Sequence, residues 1–131
     1  MTAPILLLAA ALQSPATAQA DVPAGLDAQI CASMRKYEER YRSELPQMAD
    51  AVTRLDSFSV DCGSRLLTWH RTLIGDPANL RAGWQDRHQA DWDADVCGSE
   101  TFRSIVAAGW RFVDRYAIQD GREPAFEARC G

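Results

Sequence analysis

The sequence predicts an α+β domain in which a small antiparallel sheet of about four strands, formed by two hairpins, carries helices on one face. Two observations lead to this fold class. Segments with helical periodicity and segments with strand alternation follow one another in the order helix, hairpin, helices, hairpin. Four cysteines are spread over the 131 residues at wide spacings. Packing the helices on one face of the sheet gives a two-layer domain with one core.

The first twenty residues have the features of a secretory signal peptide. An apolar run extends from Ile5 to Leu12, and Ala18-Gln19-Ala20 has the pattern of a cleavage site. The run is too short to span a bilayer. The alternative is a buried N-terminal helix, which the prolines in this segment disfavour. We therefore predict a signal peptide over residues 1–20 and one exported domain over residues 21–131, with no transmembrane segment after cleavage.

The first half of the domain is predicted to form a helix and then a hairpin. Apolar residues at spacings of three and four form one helical stripe, made of Leu26, Ile30, Met34, Tyr37, Tyr41 and Leu45. Pro46 ends this helix, because the residue before a proline is disfavoured in the α region. Residues 52–60 alternate imperfectly, which predicts a β-bulge or a half-exposed edge strand, and residues 65–73 alternate regularly after a turn.

The second half is predicted to form two helices and a second hairpin. Asp76 and Pro77 mark the start of one helix, and Ser99 caps the next, which Gly109 ends. The following strand has one apolar face, made of Trp110, Phe112, Tyr116 and Ile118 and interrupted by Asp114. An Asp-Gly turn then leads to the last strand, whose proline suits a sheet edge.

The four cysteines predict two disulfides. An even number of cysteines in an exported domain favours a disulfide framework. Zinc is the rival interpretation, but there is no C-x-x-C pair and the spacings are about thirty residues. Three connectivities are possible. A meander of two hairpins favours Cys62–Cys97, which leaves Cys31–Cys130.

The charge and the motifs exclude several classes of function. The formal net charge of −4 and the absence of a basic block disfavour binding to nucleic acid. The sequence contains no Walker A motif, no dinucleotide-binding fingerprint and no H-E-x-x-H motif. We therefore predict no cofactor and assign no catalytic residue. The oligomeric state is left open.

The chain resembles a loose group of small exported bacterial α+β proteins with a helix–Leu-Pro–hairpin–helix–hairpin plan. The matching positions are Leu45-Pro46, Asp50, Thr53, Leu55, Cys97, Phe102-Arg103, Gly109, Tyr116, Gly121 and Cys130. The resemblance implies an exported α+β domain and carries over no catalytic residue. Cys62 and the segment 77–95 fall outside the shared pattern.

The segment outside the pattern contains the predicted binding residues, Trp84, Arg87, His88 and Trp92. Exposed tryptophan and arginine are typical interface anchors. The alternative is that this line of residues packs on the sheet. We predict a non-enzymatic module that binds another exported or envelope protein, as inhibitors, immunity proteins and assembly factors do.

A small periplasmic hydrolase or metal-dependent enzyme is the second hypothesis. It would use His70 and His88 together with nearby aspartates. Asp91, Asp93 and Asp95 resemble the start of a calcium loop, but its sixth and twelfth positions are Val and Phe instead of Gly and Glu. A solvated acidic turn is the alternative interpretation of these three residues.

Overall fold

The computed structural model describes residues 24–131, which form three helices and one five-stranded sheet. In chain order the elements are α1 (Ala24–Glu44), β1 (Gln47–Met48), β2 (Thr53–Asp61), β3 (Leu66–Leu73), a 3-10 turn (Pro77–Asn79), α2 (Trp84–Cys97), α3 (Glu100–Ala107), β4 (Arg111–Ile118) and β5 (Ala125–Glu127). The α+β class is confirmed. The predicted signal peptide, residues 1–20, lies outside the described residues. No helix within 24–131 has the length and apolar character needed to cross a bilayer.

The sheet is mixed, whereas the sequence predicted about four antiparallel strands. The strands follow one another across the sheet in chain order, and the additional strand is the two-residue β1, which pairs with β2. β3 and β4 are parallel, with Leu66 opposite Arg111 and Leu73 opposite Ile118. The connection explains this: residues 74–110 carry α2 and α3 back along the sheet, so β4 starts at the same end as β3. The prediction of an antiparallel meander was therefore wrong for the pairing of β3 with β4.

Strand β2 contains the irregularity that its imperfect alternation predicted. The register against β3 shifts between Leu55 and Ser57. As a result Leu55 and Phe58, three positions apart, both lie buried in the core. Of the two predicted explanations, the β-bulge is confirmed, whereas β2 is not an edge strand because it lies between β1 and β3.

The core lies between one face of the sheet and the three helices. Trp69 of β3 is at its centre, with its ring centroid 4.6 Å from that of Phe58, 5.1 Å from Trp92 and 5.5 Å from Phe112. These neighbours come from β2, α2 and β4. One indole therefore joins two neighbouring strands, β2 and β4, to helix α2.

The second helix begins later than the sequence predicted. Asp76 does act as a cap, but its carboxylate accepts a hydrogen bond from Ala78 N at the start of the 3-10 turn. The α-helix starts only at Trp84, after Gly83 with φ of +77°. A left-handed residue interrupts helical hydrogen bonding, so the chain bends there and α2 leaves in a new direction.

The ends of α3 agree with the prediction. The Ser99 hydroxyl accepts a hydrogen bond from Phe102 N at 3.2 Å, which caps the helix. Gly109 follows the helix with φ of +98°, a conformation that disfavours a side chain. The chain then turns directly into β4.

The two disulfides join Cys31 to Cys62 and Cys97 to Cys130. Both predicted pairs, Cys62–Cys97 and Cys31–Cys130, were therefore wrong, although the number of disulfides was right. The error follows from the meander, which misplaced the ends of the strands. In the structure one disulfide ties α1 to the turn after β2, and the other ties the end of α2 to the C-terminal segment.

Candidate functional site

The predicted binding residues lie along α2, but they do not form one exposed face. Trp92 is only 6% exposed, and its Nε1 donates a hydrogen bond to the carbonyl oxygen of Phe112 at 3.3 Å. Trp84 and His88 are half-buried, and Arg87 is exposed. Trp92 is a core residue that a partner cannot reach in this conformation, which corrects its assignment to a binding surface. Part of the line packs on the sheet, as the alternative interpretation stated.

Asp114 lies fully buried on the core face of β4. Its Oδ1 accepts a hydrogen bond from Arg71 Nε at 2.5 Å, and its Oδ2 lies 2.8 Å from His88 Nε2. Both carboxylate oxygens therefore have a partner, which is the condition under which a charge is tolerated in a protein core. This pairing explains the polar interruption of an otherwise apolar strand.

The three residues of this network, Arg71, His88 and Asp114, belong to three elements. Arg71 is on β3, His88 on α2 and Asp114 on β4. The side chains of Arg71 and His88 are 18% and 23% exposed, against 1% for Asp114, so the network opens to solvent only at its edge. We call it the Asp114 network. It fixes the first half of α2 to the centre of the sheet.

Aromatic rings enclose the imidazole of His88. Its ring centroid lies 4.9 Å from that of Tyr116 and 4.5 Å from that of Phe126, both edge-on. Trp84 contacts the same two rings edge-on at 6.1 and 5.9 Å. Burial, and secondarily the Asp114 carboxylate, raise the pKa of Tyr116 to about 12, so its hydroxyl stays neutral at physiological pH. This apolar wall holds the imidazole in one orientation.

The Asp114 network is better suited to positioning than to catalysis. Nucleophilic catalysis by a His–Asp pair requires a hydroxyl or thiol within hydrogen-bond reach of the imidazole. Within residues 24–131 His88 makes a single side-chain hydrogen bond, to Asp114. The carboxylate is shared with a guanidinium, and the ring is packed among aromatic side chains. The geometry therefore supports a structural role.

A concave surface of about 410 Å³ lies beside the network, where the 3-10 turn meets α2. It is lined among others by Pro77, Leu80, Arg81, Trp84 and Arg122. We call it the Trp84 surface. Leu80 and Trp84 are half-buried there, whereas both arginines are exposed. The Trp84 surface thus combines half-buried apolar side chains with two exposed arginines. Of the predicted binding residues, Trp84 lines it, whereas Arg87, His88 and Trp92 do not.

His70 lies on the opposite face of the sheet from His88. Successive strand residues point to opposite faces, so His70 points away from the side to which Arg71 and the Asp114 network belong. Its Nε2 is 3.2 Å from Ser59 Oγ. Burial, followed by the positive charge of Arg115, lowers the pKa of His70. The two histidines of the enzyme hypothesis are therefore not brought together.

The three aspartates proposed for calcium all lie within α2. A helix rotates by about 100° per residue, so side chains two positions apart point in different directions. Asp93 Oδ1 accepts hydrogen bonds at 2.8 Å from Gln89 Nε2 and from Arg129 N, whereas Asp91 and Asp95 are exposed. Across residues 24–131, no group of three or more His, Cys, Asp or Glu side chains is placed to hold a metal ion. Asp93 instead anchors the C-terminal segment to α2.

The sequence analysis did not identify Arg71 as a partner of Asp114. Strand alternation contained a usable signal, because it places Arg71 on the same face as Leu67, Trp69 and Leu73. A cation on the core face of one strand and an anion on the core face of another indicate a buried ion pair. No comparable pattern in the amino-acid sequence predicted the bend at Gly83, beside which the Trp84 surface lies.

The chain matches no protein-family model and no curated protein sequence. Its fold is similar to the crystal structure of PA3611, a candidate secreted protein from Pseudomonas aeruginosa, with a TM-score of 0.64. The two chains are 14% identical, and the match covers 80% of this chain and 93% of the other. At this identity the likeness shows a shared fold alone, which agrees with the α+β fold that the resemblance to small exported proteins implied.

Proposed function

We propose that this chain is an exported, disulfide-stabilised module that binds another protein through the Trp84 surface. The observation that carries the proposal is the half-buried Trp84 ring beside Arg81 and Arg122 in one concavity of about 410 Å³. Tryptophan and arginine are the residue types that contribute most to interface energies. The Asp114 network and the Cys97–Cys130 disulfide hold α2 at both ends. A surface that is already ordered loses little conformational entropy when a partner binds.

Three observations support an extracytoplasmic location. The first twenty residues have signal-peptide features, two disulfides cross-link the domain, and the structural neighbour is named as a candidate secreted protein. The partner is accordingly another exported or envelope protein. An inhibitor, an immunity protein and an assembly factor would each bind in this way.

Site-specific photo-crosslinking tests this function directly. A benzophenone amino acid in place of Gln85, an exposed residue that lines the Trp84 surface, should cross-link an envelope protein in cells. The same amino acid in place of Arg103, an exposed residue of α3 that does not line this surface, is the matched control. The proposal is contradicted if position 85 yields no adduct, or if both positions yield the same adducts.

A small hydrolase is the second candidate, and the contact between Ser59 and His70 favours it. A hydroxyl 3.2 Å from an imidazole with a lowered pKa is a nucleophile beside a neutral general base. The Ser59 hydroxyl would attack an ester carbonyl while His70 accepts its proton, and His70 would then pass that proton to the alcohol that leaves as the ester C–O bond breaks. Water, deprotonated by His70, would hydrolyse the acyl-serine and return the proton to the Ser59 oxygen. A fluorophosphonate probe should label Ser59 in the wild type and not in His70→Gln. Absence of labelling in the wild type would exclude this candidate.

A further inference from the structure

We infer, on the basis of the proposed function, that the partner inserts a segment carrying an acidic side chain next to an apolar one into the Trp84 surface. Arg81 forms no ion pair within residues 24–131, and its side chain lines the concavity. Arg122 lines it from the β4–β5 connection. Two guanidinium groups from separate parts of the chain thus face one concave surface.

The local charge favours a carboxylate in this surface. Arg122 shares its charge with Asp120, whose Oδ2 lies 2.8 Å from Arg122 Nη2. Arg87, one turn into α2, adds a third cation, and its Nη1 donates to a backbone carbonyl oxygen at 3.0 Å. Among the charged residues that line the surface, Arg81 and Arg122 are cationic and Asp86 is acidic, and Arg81 is the guanidinium that forms no ion pair within residues 24–131. Arginine binds carboxylates through paired, charge-assisted hydrogen bonds.

The half-buried side chains of the surface can contact an apolar group beside that carboxylate. Leu80 and Trp84 are half-buried and Pro77 adjoins them, so a purely charged ligand would leave this area uncovered. A purely apolar ligand would cover the arginines without giving them acceptors, which is unfavourable. An acidic residue next to Leu, Phe or Trp satisfies both parts of the surface.

The other large concavity lacks this combination. A groove of about 530 Å³ between α1 and α3 has Ile30, Met34 and Ile105 on its floor, and no arginine or lysine lines it. Charge therefore distinguishes the Trp84 surface, and we assign no occupant to the groove.

Selection of peptides from a phage-displayed random heptapeptide library tests this inference on the exported chain. The wild type should enrich peptides with Asp or Glu adjacent to Leu, Phe or Trp. The charge reversal Arg81→Glu with Arg122→Glu should weaken binding of a selected peptide at least tenfold. The control Arg103→Glu with Arg129→Glu alters two exposed arginines outside the surface and makes the same change in net charge, so it should bind like the wild type.

Each outcome separates this inference from the proposed function. The inferred chemistry would be overturned if the enriched peptides lacked acidic residues, or if the two charge-reversed variants bound a selected peptide equally well. In either case, cross-linking at position 85 could still demonstrate a protein partner. Failure to enrich any sequence would also overturn the inferred chemistry. Binding of the selected peptide should weaken as ionic strength rises, because exposed arginines are screened by salt.

Discussion

Replacement of Asp114 by alanine should destabilise the fold by about 3–5 kcal/mol. Removing one partner of a buried ion pair leaves the other charge without compensation, and this loss is typically of that size. Asp114 is fully buried, but Arg71 and His88 keep some contact with solvent, so we expect the lower end of the range. In a domain of this size, a loss of about 3 kcal/mol corresponds to a decrease in Tm of about 10–15 °C.

Urea denaturation and calorimetry would measure this loss. Arg122→Ala is the matched control, because it removes a surface Arg–Asp pair and keeps the hydrogen bond that the Asp120 carboxylate accepts from the backbone N–H of residue 122, and it should leave the urea midpoint almost unchanged. Replacing all three network residues together, as Arg71→Met, His88→Leu and Asp114→Leu, should recover most of the stability, since no uncompensated charge remains. A midpoint for Asp114→Ala equal to that of the wild type would refute the reasoning. A triple variant as unstable as the single one would show that shape and not charge compensation governs this position.

Two further predictions concern the disulfides and the pH dependence of stability. The Cys31–Cys62 disulfide closes a loop with a sequence separation of 31. By the loop-entropy relation, Cys31→Ser with Cys62→Ser should therefore lower the free energy of unfolding by about 4 kcal/mol. Calorimetry that finds no loss of stability would contradict this prediction. The lowered pKa of His70 means that the folded state binds fewer protons than the unfolded state between that pKa and 6.5. Stability should therefore increase as the pH rises through this window, and His70→Gln should reduce the slope of the urea midpoint against pH, whereas an unchanged slope would contradict the assignment.

Local features of the fold could be predicted because local chemistry determines them. Ser99 caps α3 through its own hydroxyl, and Gly109 ends the helix because its φ of +98° disfavours other residues. The bulge in β2 was visible in the spacing of Leu55 and Phe58. Each of these signals lies within a few residues of the structure that it specifies.

The direction of β4 and the disulfide pairing could not be predicted in the same way. The direction of β4 and the Cys97–Cys130 pair depend on the path of residues 74–110, which bends at Gly83, whereas the Cys31–Cys62 pair depends on how α1 packs against the end of β2. Glycine in a helical pattern is compatible with either a continued helix or a break. The Asp114 network is non-local in the same sense, because Arg71 and His88 are separated from Asp114 by 43 and 26 positions.

The position of the Asp114 network suggests why a charge is buried in this small core. The two buried residues of α2, Trp92 and Val96, both lie in its second half. The first half is held by the His88 contact with Asp114 and by the half-buried ring of Trp84, one turn earlier. Apolar packing could hold this half of α2 in several rotational positions, whereas the directional hydrogen bond between His88 and Asp114 specifies one. The network therefore fixes the rotational position of the helical turn that carries Trp84, and the buried charge contributes more to the geometry of the proposed binding surface than to net stability.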